Sequence, residues 1–243
     1  MTINPIKELQ RKAAKAAGFS YLIAFAIVVY VNFGILNHLI VENNASETAQ
    51  NILKHERLFR IGITGDLIYC AGVVVLLTAL YLILKPINSG LALLAAFWRL
   101  VWVLIWLVMT LNLFNALKLL SGANYLRAFE TARLQALARF YLGSSFDYYY
   151  VGLLFGSLAS TVCGYLWLKS RYIPRALAVF GVISSAFCVA CTLIFYIFPD
   201  FDKTVNLWWF DSPMSIFDII LSFWLLFKGL RSSAKAEPQK ENN

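Results

Sequence analysis

Four ionisable side chains stand inside otherwise apolar stretches of this sequence: Asp66, Arg99, Asp147 and Asp218. A charge at the centre of a bilayer costs at least ~2.5–3.5 kcal/mol on insertion scales, so such groups face the bundle interior and find a partner. Asp218 lies ten residues before Lys228, roughly 15 Å along a helix, and Arg99 lies nine residues after Gly90, roughly 13 Å. Both fall near the midplane at matching depth. They are expected to form a buried ion pair tying the third apolar segment to the sixth. Two roles stay open for it. As architecture, it fixes helix order, because buried pairs add little net stability. As chemistry, it is a gate, a proton site or a ligand anchor.

A second group sits higher. Asp66 is nineteen residues before Lys85, roughly 28 Å away, close to the opposite end of its helix. Gly62 and Gly65 precede it and leave room for a neighbouring backbone or a ligand. Asp147 stands at the same level beside Tyr148, Tyr149 and Tyr150, and Asn32, Asn112 and Asn115 reach similar depths. These residues define a candidate polar cavity with an aromatic rim. The alternatives are that Asp147 caps a helix N-terminus and that the tyrosines, with Trp208 and Trp209, form an interfacial belt. Gly152, Gly156, Ser160 and Gly164, four apart, form a helix-packing groove. It takes either another helix of the bundle or a second copy of the chain in a homo-oligomer.

Other chemistry has little support. His38 and His55 are the two histidines, and no metal-ligand spacing surrounds them. Cys188-x-x-Cys191 has redox spacing but lies in an apolar run, as do Cys70 and Cys163, and reactive thiols need an electropositive, accessible setting. No nucleophile elbow, phosphate loop or dinucleotide fingerprint occurs. We therefore expect no catalytic residue, metal or cofactor. An enzyme using Asp66 and Asp147 as acid and base on a lipid-like substrate is the weakest of the functional readings. Asn44-Ala-Ser46 fits a glycosylation sequon that a bacterial chain would leave unused.

The elements that must position these residues are membrane helices. Of 243 residues, 60% are hydrophobic and 14% charged, and the mean hydropathy is +0.68. Soluble domains run near 45–50% and roughly 25%, so a soluble enzyme, a disordered chain and a disulfide scaffold are excluded. Spanning a bilayer takes about 20 apolar residues in a helix that satisfies its own backbone. Six segments qualify: 16–40, 61–84, 91–120, 146–168, 175–198 and 211–230. They are continuous rather than alternating in polarity, which argues against a β-barrel. The first exceeds the 7–15 residues typical of a signal h-region and has no convincing cleavage site, so it reads as an uncleaved helix. One all-α membrane domain over 1–230 is expected, followed by a disordered polar tail over 231–243. Residues 124–141 read as an amphipathic helix on the outer surface, with Tyr125, Phe129, Ala132, Ala136 and Phe140 on one face.

Orientation follows from Lys and Arg in the flanks. Twelve lie on the side of the termini and the 85–90 and 169–175 turns, and eight on the other. Both termini are therefore expected in the cytoplasm. Three helix ends agree: Tyr81-Leu-Ile-Leu-Lys85, Tyr165-Leu-Trp-Leu-Lys169 and Trp224-Leu-Leu-Phe-Lys228, each an aromatic ring followed by a snorkelling lysine. The net charge of +8 is thus a topology signal facing anionic lipid, and the expected partners are the bilayer and a small-molecule or lipid ligand, with no nucleic acid. Prolines 86, 174, 199 and 213 fall at helix ends, which weakens a transporter with broken helices.

Several local patterns, in order, resemble the bacterial membrane family DUF4386. They are Lys15-Ala-Ala-Gly-Phe-Ser-Tyr-Leu22, Phe59-Arg-Ile-Gly-Ile-Thr-Gly-Asp66, Tyr81-Leu-Ile-Leu-Lys-Pro-Ile-Asn88, Leu91-Ala-Leu-Leu-Ala-Ala-Phe-Trp-Arg-Leu100, Gly164-Tyr-Leu-Trp-Leu-Lys-Ser-Arg-Tyr-Ile-Pro174 and Trp224-Leu-Leu-Phe-Lys-Gly229. The likeness covers about residues 11–230, and Asp218 stands where the family tends to have Glu. The resemblance implies a six-helix protein of the bacterial inner membrane and carries no activity or catalytic residue. On the residues themselves, binding or transport of a small molecule or ion leads, with a non-catalytic scaffold as the alternative.

Overall fold

The computed structural model describes residues 7–41, 44–122, 126, 128–198, 200–201, 205 and 207–231, with side chains 145, 146, 207 and 208 left out. The tail beyond 231, together with Tyr125 and Pro199, lies outside the described residues.

Seven helices account for almost all of it. They are α1 (Glu8–Leu39), α2 (Ala45–Lys54), α3 (Glu56–Leu84), α4 (Ser89–Leu120), α5 (Thr131–Ser170), α6 (Arg175–Ile197) and α7 (Leu207–Phe223, running on to Lys228). All except α2 are long and apolar enough to cross a membrane. These six pack in chain order as a closed ring, α1–α3–α4–α5–α6–α7, with α7 returning to α1. We call the end holding Glu8, the 84–89 and 170–175 turns and Lys228 the terminal face, and the opposite end the far face.

Close backbone approach closes the ring. A Cβ on Gly18 of α1 would stand 2.7 Å from the Ser222 carbonyl oxygen of α7, so only glycine allows that contact. On the terminal face the buried Gln10 Nε2 donates to the Ile83 carbonyl at 3.1 Å, and Arg231 N–H donates to the Tyr172 carbonyl at 2.8 Å. Asn88 caps α4 by accepting from Leu91 N–H at 3.0 Å. The aromatic–basic helix ends also find partners there. Lys85 Nζ sits 5.5 Å from the Tyr81 ring centre, whereas Trp224 meets Arg231 at 4.8 Å rather than Lys228. Outward-facing side chains such as Phe19, Ile183 and Phe227 are exposed apolar groups, as a lipid-facing belt requires.

Three expectations about the elements are corrected. First, the surface helix and the fourth span are one helix, α5, 40 residues long. At 1.5 Å per residue it reaches about 60 Å, twice a hydrocarbon core. Its first half extends past the ring and packs against α2 and the far ends of α1, α3 and α4 through Ile35, Ile52, Phe59, Leu117, Ala138 and Leu142. The buried face is thus Ala138 and Leu142, while Phe129, Ala132, Ala136 and Phe140 are exposed. Second, Pro213 lies inside α7 rather than at its end, where it cannot donate the usual hydrogen bond to the carbonyl four residues back, that of Trp209. Third, α1 begins at Glu8, well before 16, and contains a π-helical stretch at Tyr30–Leu36. A wider turn of this kind is a local irregularity often found at functional positions.

Candidate functional site

The ring interior carries two polar tiers. The middle tier is set by helix register. Arg99 is ten residues from the terminal-face end of α4, Ser160 ten from that of α5, and Asp218 ten from Lys228, so all three stand about 15 Å above that face. Arg99 is 7% exposed, and its Nη2 donates to Ser160 Oγ at 3.0 Å. Its guanidinium lies 5.9 Å from the Tyr21 ring of α1, within cation–π range. Tyr21 and Cys163 are electrostatic neighbours of both Arg99 and Asp218, and the Tyr21 hydroxyl faces the Asp218 carboxyl. A cavity of about 10 Å³ beside Arg99, lined by Ala95, Ala96 and Cys163 among others, has room for about one water.

The expected Arg99–Asp218 ion pair is not closed. Among the described residues the ion pairs within 4.0 Å are Lys12–Glu8, Arg60–Glu56 and Arg133–Glu130, all solvent-exposed. The buried Oδ1 of Asp218 has no hydrogen-bond partner. In the ring order α4 and α7 are not neighbours, so the two charges meet only across the interior, and Tyr21 of α1 is a close neighbour of both. Matching depth was legible in the sequence; the angular position of each helix was not.

The upper tier lies about 25 Å above the terminal face by the same count. Asp66 of α3 is 5% exposed, and its Oδ1 accepts from Trp106 Nε1 of α4 at 3.2 Å. One turn further along α3, the Tyr69 hydroxyl accepts from Trp102 Nε1 at 2.9 Å. Across the ring, Tyr149 of α5 donates its hydroxyl to Asp211 Oδ2 of α7 at 2.9 Å. The rings of Tyr69, Trp102, Trp106 and Tyr149 join these bonds into one cluster, with centroids 4.4–6.0 Å apart.

The other residues of the candidate outer cavity disperse. Asp147 is exposed and lies within α5, so it caps no helix; its carbonyl accepts from the Tyr196 hydroxyl at 3.3 Å. Asn115 is also exposed. Asn32, in the π-helical stretch of α1, turns back to donate to the Val28 carbonyl at 2.9 Å. Asn112 is 7% exposed, and its Nδ2 is buried without a partner. Asp66 alone of the set joins the aromatic cluster.

The small-residue strip of α5 is filled by neighbouring helices. A Cβ on Gly152 would stand 2.7 Å from the Trp102 ring, and on Gly156 3.4 Å from it; Ser160 receives Arg99. Gly164 instead faces α6, where a Cβ would come within 3.1 Å of the Val182 backbone. Positions four apart advance about 40° around a helix, so the strip winds from α4 to α6. Cys188 packs with Leu153, Phe210 and Met214, and Cys191 joins the same apolar cluster.

Sequence reasoning missed Tyr21, Tyr69, Trp102, Trp106 and Asp211. The signal for the tryptophans was present: they follow Arg99 at three and seven residues, one face of a helix. Asp211 precedes Asp218 by seven, again one face. Tyr21 carried no such mark.

Fold and interior together define a polytopic membrane protein whose spanning helices enclose a two-tier row of ionisable and aromatic side chains. The chain belongs to the DUF4386 family, whose model, described as a domain of unknown function, matches residues 16–229. No curated protein and no solved structure matches it.

Proposed function

We propose that this protein binds a small solute or ion inside its helix ring and moves it across the bacterial cytoplasmic membrane, with both termini on the cytoplasmic side. One observation carries the reading: buried Arg99 and half-buried Asp218 are held at the same level but not joined, and the buried Oδ1 of Asp218 has no partner. A purely architectural pair offsets its desolvation only through close contact and full hydrogen bonding. Charges left facing one another across a ring interior instead have free valences for a ligand. The upper tier then acts as the closed side of the path, since Trp102, Trp106 and Tyr149 fill it.

The scaffold reading draws support from the same packing: the α5 strip and the upper tier are occupied by the protein's own side chains. Mass spectrometry of small molecules co-purified with the wild type, with Arg99→Gln and with Asp218→Asn separates the two. Transport or binding requires a solute carried by the wild type and lost from both variants, followed by counterflow of that solute in proteoliposomes. Identical small-molecule content in all three favours the scaffold.

A further inference from the structure

An apolar cleft of about 360 Å³ opens on the outside of the ring between α1 and α3. α1 lines it with Leu9, Lys12 and Ala16, and α3 with Val74, Thr78 and Leu82. Leu82 is two residues from the terminal-face end of α3 and Val74 is ten, so the cleft descends about 15 Å, half of a ~30 Å hydrocarbon core. It therefore runs from headgroup level to the midplane, the reach of one acyl chain in one leaflet. The charged group in its lining, Lys12, stands at the headgroup end. Lys12 Nζ touches Glu8 at 2.7 Å, but both side chains are three-quarters or more exposed, and such pairs contribute ~0–1 kcal/mol. A phosphate can take the ammonium from Glu8 at little cost. Arg11 and Lys15, exposed on the same turns of α1, leave this corner positive.

We propose that the cleft is a specific site for an anionic phospholipid, with one acyl chain between α1 and α3 and its phosphate on Lys12. The site is independent of the two interior tiers. Its lipid is distinguished from the general lipid coat by a single basic anchor at one end and by a groove that ends at the midplane.

Native mass spectrometry of the full chain in detergent tests this, with phosphatidylglycerol and phosphatidylcholine of matched acyl chains added in equal amounts. The wild type should retain phosphatidylglycerol preferentially. Lys12→Glu should lower that retention at least about fivefold, since each basic group near an anionic surface contributes on the order of 1 kcal/mol. Lys169→Glu, at an exposed lysine on the same face, should leave it nearly unchanged. Thr78→Phe, at an exposed position in the cleft wall, should lower retention of both lipids by filling the groove. Size-exclusion elution reports folding, and Lys12→Gln and Val75→Phe replace any variant that fails it. The proposal is overturned if the two lysine variants lose lipid equally, or if the filled groove retains as much lipid as the wild type.

Discussion

The two interior tiers solve the same problem in opposite ways. In the upper tier each carboxylate has a neutral donor aimed at it, Trp106 for Asp66 and Tyr149 for Asp211, and aromatic rings pack around both. In the middle tier a cation and a carboxylate share one level, yet Arg99 bonds to the Ser160 hydroxyl and Asp218 keeps a buried oxygen without a partner. Buried polar groups in native proteins are overwhelmingly satisfied, and each exception calls for a reason. Asp66 and Asp211 each take one donor inside a packed aromatic cluster, whereas Asp218 faces the Tyr21 hydroxyl and leaves its Oδ1 buried without a donor. Under the function proposed above, the upper tier is the closure and the middle tier the binding site.

The largest way to break this contrast is Trp106→Ala. The ring packs against Tyr69, with centroids 4.4 Å apart, and carries the hydrogen bond to Asp66. Removing a buried Trp side chain costs about 3–5 kcal/mol through lost packing and the space left behind. Thermal or denaturant melting in detergent should show that loss; a shift under ~1 kcal/mol would mean the upper tier is not a packed closure. Tyr149→Phe is the next step down. It keeps the ring and deletes the donor to Asp211, so a loss of about 1.5–3 kcal/mol is expected for a hydrogen bond to a charged group. Asp211 is only partly buried, which places the result toward the lower figure.

How much of this was legible in the sequence depends on which coordinate is asked for. Position along the membrane normal was readable, because helix rise is constant and both ends of each span carry marks. Arg99, Ser160 and Asp218 do share a level. Position around the ring was not readable, because it depends on which helices are neighbours. The matched depth of Arg99 and Asp218 therefore looked like a contact, although their helices are not neighbours in the ring. The same limit explains Tyr21, a lone tyrosine in an apolar helix until α1 is placed beside both α3 and α7. Asp147 failed differently. Its type suggested a cap, but Gly143 and Ser144 did not stop α5, whose first half gains enough packing against α2 to continue through. Local propensity yielded there to tertiary contact.

The smallest expected effect is the most discriminating. Asp218→Asn keeps the shape of the side chain and removes its charge. If Asp218 and Arg99 formed a closed buried pair, breaking it would strand Arg99 and cost about 3–5 kcal/mol. With Arg99 held by Ser160 and the Tyr21 ring instead, and with an amide oxygen still able to accept from the Tyr21 hydroxyl that faces Asp218, the substitution should cost only about 1 kcal/mol, well below a broken buried pair. The double variant with Arg99→Gln sharpens the point, because contacting charges show coupling of about 0.5–3 kcal/mol whereas independent sites add. Melting of the two single variants and the double variant should therefore give coupling near the bottom of that range. A small stability cost combined with loss of a bound solute is the pattern that a site makes and a strut does not. A coupling of several kcal/mol would instead place the two charges in direct contact and return the middle tier to architecture.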